Sequence, residues 1–344
     1  MPEREMTRRE FIAVTSTIAM ASLLGCPRTA AADQSPEITR VRMGHLRAIC
    51  TAPLYLAEDM LRLEGFSQVE YAEMSAAMSA ANFLSPSGVI LAGKADFSVE
   101  TAPVLIPQLE AGQEKLVVLG GLHAGCYELF GSDRVRTMLD LKGKAIGIRT
   151  FGAHDHVFIA SMLAYVGVEP NKDVTWIETG TLEGPMRLFI DGATDAFLGF
   201  APQPRDLREQ GIGHVLINTS QDRPWSRNFC CLLVGSRDFV NKYPVSTKKV
   251  LRSFLKASDI CSEQPEFAAR YLAQQGFEPR YEVGLEVLKT LPYDWWRIAH
   301  PKDTLRFYAL RLHEVDMIKT PPNDLIARGT DWRFLNELKK ELKA

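Results

Sequence analysis

The stretch Ala145–Val168, AIGIRTFGAHDHVFIASMLAYVGV, constrains the fold of this chain more than any other. Its short apolar run (Ala145, Ile146, Ile148) suits a buried strand, and the polar, glycine-containing segment Arg149–Gly152 turns the chain. Val157, Phe158, Met162 and Leu163 then recur at helical spacing. Such a strand, loop and helix aim the loop's N–H groups and the helix N-terminus at one spot, which suits an anion or a polar ligand. The same unit occurs earlier, in Val41–Phe66 (VRMGHLRAICTAPLYLAEDMLRLEGF). Each copy is followed by one further spacing, G-x-x-D-x5-A-P: Gly93–Asp96 leads to Ala102–Pro103, and Gly192–Asp195 leads to Ala201–Pro202. Two matched features in the same order predict two lobes of like topology that face each other across a cleft.

Taken in order, residues 33–130 read as the first lobe, 131–233 as the second, and 234–344 as a return to the first lobe followed by a helical tail. Strands alternate with helices, the signature of parallel α/β lobes. The segments Tyr127–Phe130 and Asn228–Gly235 (NFCCLLVG) are apolar enough to cross between lobes, and Gly120–Cys126 reads as a flexible loop before the first of them. A small-residue helix is expected at Ser75–Leu84. From Val245 onward the pattern is helical throughout, and Trp295, Trp296 and Tyr308 read as packing between tail helices.

A formal net charge of -2 and a pI near 6.4 argue against a nucleic-acid or membrane-surface binder, which would carry a basic bias. The basic signal is confined to the start of the chain. Thr7-Arg8-Arg9-Glu10-Phe11 has a twin-arginine pattern, and the apolar run Ile12–Leu24 has the length of a signal h-region. Residues 1–32 therefore read as an export leader with two possible ends. Leu23-Leu24-Gly25-Cys26 resembles a lipoprotein box, whereas Ala30-Ala31-Ala32 suits ordinary cleavage, which Pro27 after the cysteine favours. The expected location is the periplasm. Downstream lie Cys50, Cys126, Cys230, Cys231 and Cys261, with no C-x-x-C. On a strand, Cys230 and Cys231 point to opposite faces. A bridge from one of them to Cys261 and buried free thiols are both open.

The leader, APLYLAEDM after the first strand, DLKGKAIGI, the GAHDH loop, DAFLGFAP and the closing GTDWRFLNELKKELK together resemble the nitrate/sulfonate/taurine-type periplasmic substrate-binding proteins of ABC transporters, relatives of the thiamine-pyrimidine synthase-like proteins. The resemblance implies a type II periplasmic-binding-protein fold, with two Rossmann-like lobes joined by two crossing strands. It implies a small, often anionic solute such as a sulfonate, nitrate or a related organic acid, passed to a membrane permease with a separate ATPase. The chain carries no G-x-x-x-x-G-K-[ST] phosphate loop. It is expected to act as a monomer, to need no cofactor and no nucleic acid, and to perform no covalent chemistry. Two other readings remain: an enzyme of the pyrimidine-synthase type, whose CCCFC motif is missing because Leu232 follows Cys230-Cys231, and a sensor subunit that presents its ligand to a membrane receptor.

Ligands of open α/β sheets sit beyond the carboxyl ends of the strands. That rule selects Arg47, Cys50 and Thr51 after the first strand, and Glu100 and Thr101 after the first G-x-x-D strand. It adds His123, Gly125 and Cys126 after the strand Leu116–Leu119. In the second lobe it selects Thr150, Gly152, Ala153 and His154, with Phe200 after the second G-x-x-D strand. Thr51 and Thr150 suit an oxyanion or plain capping, Gly125 and Gly152 a close approach or positive φ, and Arg47 an anion. Glu100, if inward, would favour a cationic, zwitterionic or hydrogen-bond-rich ligand. Asp96 and Asp195 read as braces rather than paired acids. His154, Asp155 and His156 with His123, Cys126 and Glu100 have metal-ligand chemistry. Residues i and i+2 of a helix do not share a face, however, so no metal site is expected there.

Overall fold

The computed structural model describes residues 34–44, 48–72, 86–112 and 114–344. The segment read as an export leader, Arg47 and the helix expected at Ser75–Leu84 lie outside the described residues. Ser35–Ala344 form one compact unit. Its strands are β1 (Arg40–Gly44), β2 (Gln68–Ala72), β3 (Phe97–Thr101), β4 (Leu116–Ala124), β5 (Tyr127–Gly131), β6 (Ala145–Ile148), β7 (Thr175–Glu178), β8 (Ala196–Phe200), β9 (His214–Asn218) and β10 (Phe229–Ser236).

They form two five-stranded sheets of one plan, β2-β1-β3-β10-β4 and β7-β6-β8-β5-β9. In each, three strands run parallel, and the fourth is antiparallel to both of its neighbours. That fourth strand is contributed by the crossing: β5 follows the first sheet's β4 but joins the second sheet, and β10 follows β9 but returns to the first. The two crossing strands and the mixed α/β lobes are those of the periplasmic-binding-protein fold. The first crossing falls at Gly125–Cys126, a few residues before the lobe boundary read from the sequence. A strand's own alternation does not say which sheet receives it.

The repeated G-x-x-D spacing has a common structural cause. Asp96 accepts from the backbone N–H of Arg42 on β1 at 2.9 Å and pairs with the Arg42 guanidinium, which also donates to Gly93 O at 2.8 Å. Asp195 accepts from Ala145 N on β6 at 3.0 Å and pairs with Arg134, which reaches Gly192 O at 3.3 Å. Each aspartate thus ties the turn before its strand to the first parallel strand of its lobe. Burial alone would raise the Asp195 carboxyl, yet Arg134 and the Ala145 N–H hold it below the usual range. Asp195→Ala is expected to destabilise the chain by about 1–3 kcal/mol, the cost of a buried N–H left without its acceptor. Urea unfolding checks this, and an unchanged midpoint would remove the brace from the account.

The helix His154–Tyr165 is buried from Asp155 through Leu163. This explains why its sequence is apolar on every side rather than on one stripe. Phe158 meets Tyr308 of the tail helix Pro301–Glu314 at 5.6 Å between ring centroids, so the tail covers it. The helix Ala52–Leu63 packs against the tail helix Pro244–Glu263, and Glu64 at its end bonds Lys249 at 2.9 Å and Arg252 at 2.7 Å. Trp296 and Tyr308 are buried in the core, as read from their spacing.

The segment Gly120–Ala124 is strand, not flexible loop. A Cβ at Gly121 would lie 2.4 Å from the Phe229 ring, and one at Gly120 would lie 2.8 Å from Leu251. These glycines let neighbours close onto β4, a reason that a sequence of small residues does not reveal.

Candidate functional site

A cleft of about 500 Å³ opens between the lobes. One wall is Ala48–Cys50, which follows β1. The opposite wall holds Tyr127, Glu128, Phe200, Arg205, Arg208, Asn218 and Ser220, and the tail helix Tyr281–Thr290 closes a third side with Val283, Glu286 and Val287. Most of these positions follow the carboxyl ends of strands, where an open α/β sheet presents its loops.

The two arginines of the cleft are already paired. Arg208 pairs with Glu128. Arg205 bonds Glu209 and Glu286 at 2.8 Å each, and the second bond runs from the second lobe to the tail helix across the cleft. Asn218 Nδ2 donates to Glu128 at 3.4 Å, and Ser220 Oγ donates to Asn218 Oδ1 at 2.6 Å. Polar groups are therefore preset chiefly on the second-lobe wall, and apolar Ile49, Phe200, Val283 and Val287 supply contact area on all three sides, the composition of a small-ligand site.

At the inner end of the cleft Cys50 and Cys126 are joined by Cys231 and His123. The three sulfurs and one imidazole nitrogen all lie within 4.8 Å of one another. Local structure explains the meeting. Cys231 on β10 sits directly opposite His123 on β4, so their side chains share a face. A register irregularity between Phe229 and Cys231 breaks the alternation, so Cys230 and Cys231 do not point to opposite faces as expected: their sulfurs are 4.0 Å apart. Cys126 takes φ 130° in the first crossing, a conformation rare for a side-chain-bearing residue, and places its Sγ 2.8 Å from that of Cys230. Tyr293 Oη donates to Cys50 O at 3.0 Å and steadies the loop that carries it.

All five cysteines among the described residues are free thiols, and Cys261 lies buried apart from the other four. Burial pushes the Cys126 and Cys230 thiols up. Cys231 moves the other way, well below its ordinary value, because the thiols of Cys126, Cys230 and Cys50 hydrogen-bond to it.

Of the residues selected from sequence, Cys50, Cys126 and Phe200 line the cleft. His123 stands behind Cys126, and His154 packs behind the wall against Tyr127 and Phe200 at 5.7 and 5.9 Å, where burial holds its imidazole below the ordinary value. Gly125 has φ +72°, and a Cβ there would lie 2.5 Å from Ser220 Cα, so the close approach it permits is to the chain itself. The others are engaged elsewhere. Thr51 donates to Ala48 O at 2.8 Å. Buried Glu100 accepts from Ser87 N and Oγ at 3.0 and 2.9 Å and from Thr101 N and Oγ1 at 2.8 and 3.2 Å.

The loop before the helix His154–Tyr165 fills its own anion-binding positions. Arg149 N donates to Asp155, and Phe151 N and the Thr150 hydroxyl donate to Glu178. Gly152 N donates to His156 Nδ1 at 3.1 Å, while Ala153 N donates to Thr150 O at 3.2 Å. His156 also stands edge-on to Trp176 at 4.9 Å, on a different side from His154. The i, i+2 pair is therefore divided, as its spacing required.

Sequence reasoning did not select Glu128, Arg205, Arg208, Asn218, Ser220 or Glu286. Arg205 and Arg208 had a signal, since they stand three apart on the helix that follows the second repeated Ala-Pro. Glu286 had none, because its helix reads only as tail.

Solved structures share the fold at low identity. A Bordetella bronchiseptica protein is 18% identical, with a TM-score of 0.69 over 90% of this chain and 100% of its own. The alkanesulfonate-binding protein SsuA from Xanthomonas axonopodis pv. citri, bound to MOPS, is 18% identical, with a TM-score of 0.64 over 86% of this chain and 99% of its own. The periplasmic nitrate-binding protein NrtA from Synechocystis is 15% identical, with a TM-score of 0.67 over 90% of each chain. No curated protein sequence matches the chain. The NMT1-like family model matches residues 34–276, most of the length, and the chain belongs to that family.

Proposed function

We propose that the chain is the solute-binding component of an ABC importer, capturing a small polar solute in the cleft and delivering it to a membrane permease powered by a separate ATPase. The observation that carries this reading is the cleft of about 500 Å³ between two sheets joined by two crossings, with polar groups chiefly on the second-lobe wall and apolar contact on all three sides. Two-lobed proteins of this build close by hinge motion, and binding shifts the open–closed equilibrium. The solute class is a sulfonate, nitrate or related organic acid, in keeping with what the SsuA and NrtA structures are named for. Because Arg205 and Arg208 are already paired, an anion binds here by taking a guanidinium from Glu286 or Glu128. The protein works as a monomer without covalent chemistry. Its leader, with Arg8 and Arg9, takes it through the twin-arginine route to the periplasm, where it is freed after Ala32 or anchored through Cys26. Among the described residues no helix is long and apolar enough to cross a membrane.

Val287→Trp tests the cleft directly, because the ring fills it from the tail-helix side. Titration calorimetry against alkanesulfonates, nitrate and small carboxylates should show binding by the wild type and a Kd at least about 100-fold higher in the variant, about 2.8 kcal/mol. Its unfolding midpoint should stay close to the wild type's. Undiminished affinity would place the solute outside this cleft.

A further inference from the structure

We infer that Cys50, His123, Cys126 and Cys231 form a binding site for one thiophilic metal ion, Zn²⁺ or Cu⁺, at the floor of the cleft where the chain crosses between lobes. The inference rests on this donor set alone and is independent of the solute reading. Three thiols and one imidazole are the ligand complement of a closed tetrahedral site, and soft sulfur donors select these ions over hard cations. With Zn–S bonds of about 2.3 Å and Zn–N bonds of about 2.0–2.1 Å, the edges of such a tetrahedron run to about 3.5–3.8 Å. The donors here, all within 4.8 Å of one another, need to close in by about 1.3 Å at most.

The imidazole is prepared for the role. His123 is fully buried, with Nδ1 3.3 Å from Ala124 O and Nε2 without a hydrogen-bond partner among the described residues. An N–H on Nδ1 held by a backbone carbonyl leaves the lone pair on Nε2, the tautomer of a metal-ligating histidine. A buried nitrogen left without a partner is otherwise destabilising, and a bound cation removes that cost. Cys50 and Cys126 are half-buried on the cleft side, whereas Cys231 and His123 are buried behind them. An ion therefore has an entry path from the cleft.

The placement gives the site a mechanical consequence. Cys126 lies in the first crossing, Cys231 is the third residue of β10, the strand that follows the second, and Cys50 belongs to the 3-10 turn Ile49–Thr51 after β1. A single ion joins all three. Cys230, with its sulfur 2.8 Å from that of Cys126, is the competing partner for that thiol.

The test uses the full chain, reduced and handled without oxygen, and titrated separately with Zn²⁺ and Cu⁺ against colorimetric chelators. One equivalent of either ion should resist the chelator, and the tighter of the two is the preferred occupant. Co²⁺ should give the sulfur-to-metal charge-transfer band and intense visible d–d bands of tetrahedral thiolate coordination in the wild-type protein, a readout that needs no variant to fold. Cys126→Ser, Cys231→Ser and His123→Ala should each weaken binding by at least the roughly 10–100-fold that loss of an outer partner causes. Cys261→Ser, whose thiol is not one of the donors, should bind as the wild type does. Three results would each overturn the assignment: no stoichiometric uptake of either ion after reduction, uptake unchanged in the Cys126→Ser/Cys231→Ser double variant, or uptake lost in Cys261→Ser. Calorimetry with organic anions on metal-free protein reports separately on the solute reading.

Discussion

Replacing Gly125 by alanine is expected to destabilise the chain by about 2–5 kcal/mol, whereas the same change at Gly152 is expected to cost only about 1–2 kcal/mol. Both glycines have positive φ, +72° and +79°, so both variants bear the backbone penalty. They differ in space. A Cβ at Gly125 meets Ser220 Cα and Cβ at 2.5 Å, and backbone cannot rotate aside as a side chain can. At Gly152 nothing lies within 4 Å. The difference between the two variants therefore isolates the contact between the first crossing and the segment after β9. Urea unfolding of both proteins measures it. Equal losses would mean that the crossings do not touch as described, and the junction that supports the cleft would need to be redrawn.

The second large effect lies at Glu64, away from the cleft. Its carboxylate joins Lys249 and Arg252, whose side chains are only 6% and 14% exposed, and so locks the helix Ala52–Leu63 onto the tail. Glu64→Ala should destabilise by about 3–5 kcal/mol, the range found when one member of a buried ion pair is removed. Burial alone would raise this carboxyl, but Arg252 and Lys249 hold it below its ordinary value. A depressed folded-state pKa contributes stability above the unfolded pKa and loses it as pH falls through the folded one. The gap between wild type and Glu64→Gln should therefore be full at neutral pH and narrow progressively below the ordinary carboxylate range. A gap that stayed constant into acid would show that the charge of Glu64 does no stabilising.

The topology was legible in the sequence because it is written twice. The G-x-x-D spacing marked Asp96 and Asp195, and both turn out to tie a turn to the first parallel strand of their lobe. The apolar segments around Tyr127 and Cys231 were recognisable as crossings because each is a short run apolar enough to pass between lobes. Close packing was not legible: nothing in Gly120-Gly121 announces that Phe229 and Leu251 lie where side chains would be.

The site was half legible for a related reason. The rule of strand ends found Cys50, Cys126 and Phe200. It also selected Thr51, Glu100 and Thr150, whose oxygens are held by Ala48, by Ser87 with Thr101, and by Glu178. Which acceptor a donor reaches depends on residues distant in sequence, and single-chain patterns do not encode that pairing. The thiol cluster was hidden by an alternation argument that is correct for a regular strand and fails at the irregularity beside Cys230.

Native mass spectrometry of the protein isolated from its own cell envelope tests the central claim most directly. The account predicts a stoichiometric adduct whose small organic acid or inorganic oxyanion is released on denaturation and rebinds to the wild type but not to Val287→Trp. A protein that carries no such adduct, and that binds no member of the anion panel after refolding, would contradict it.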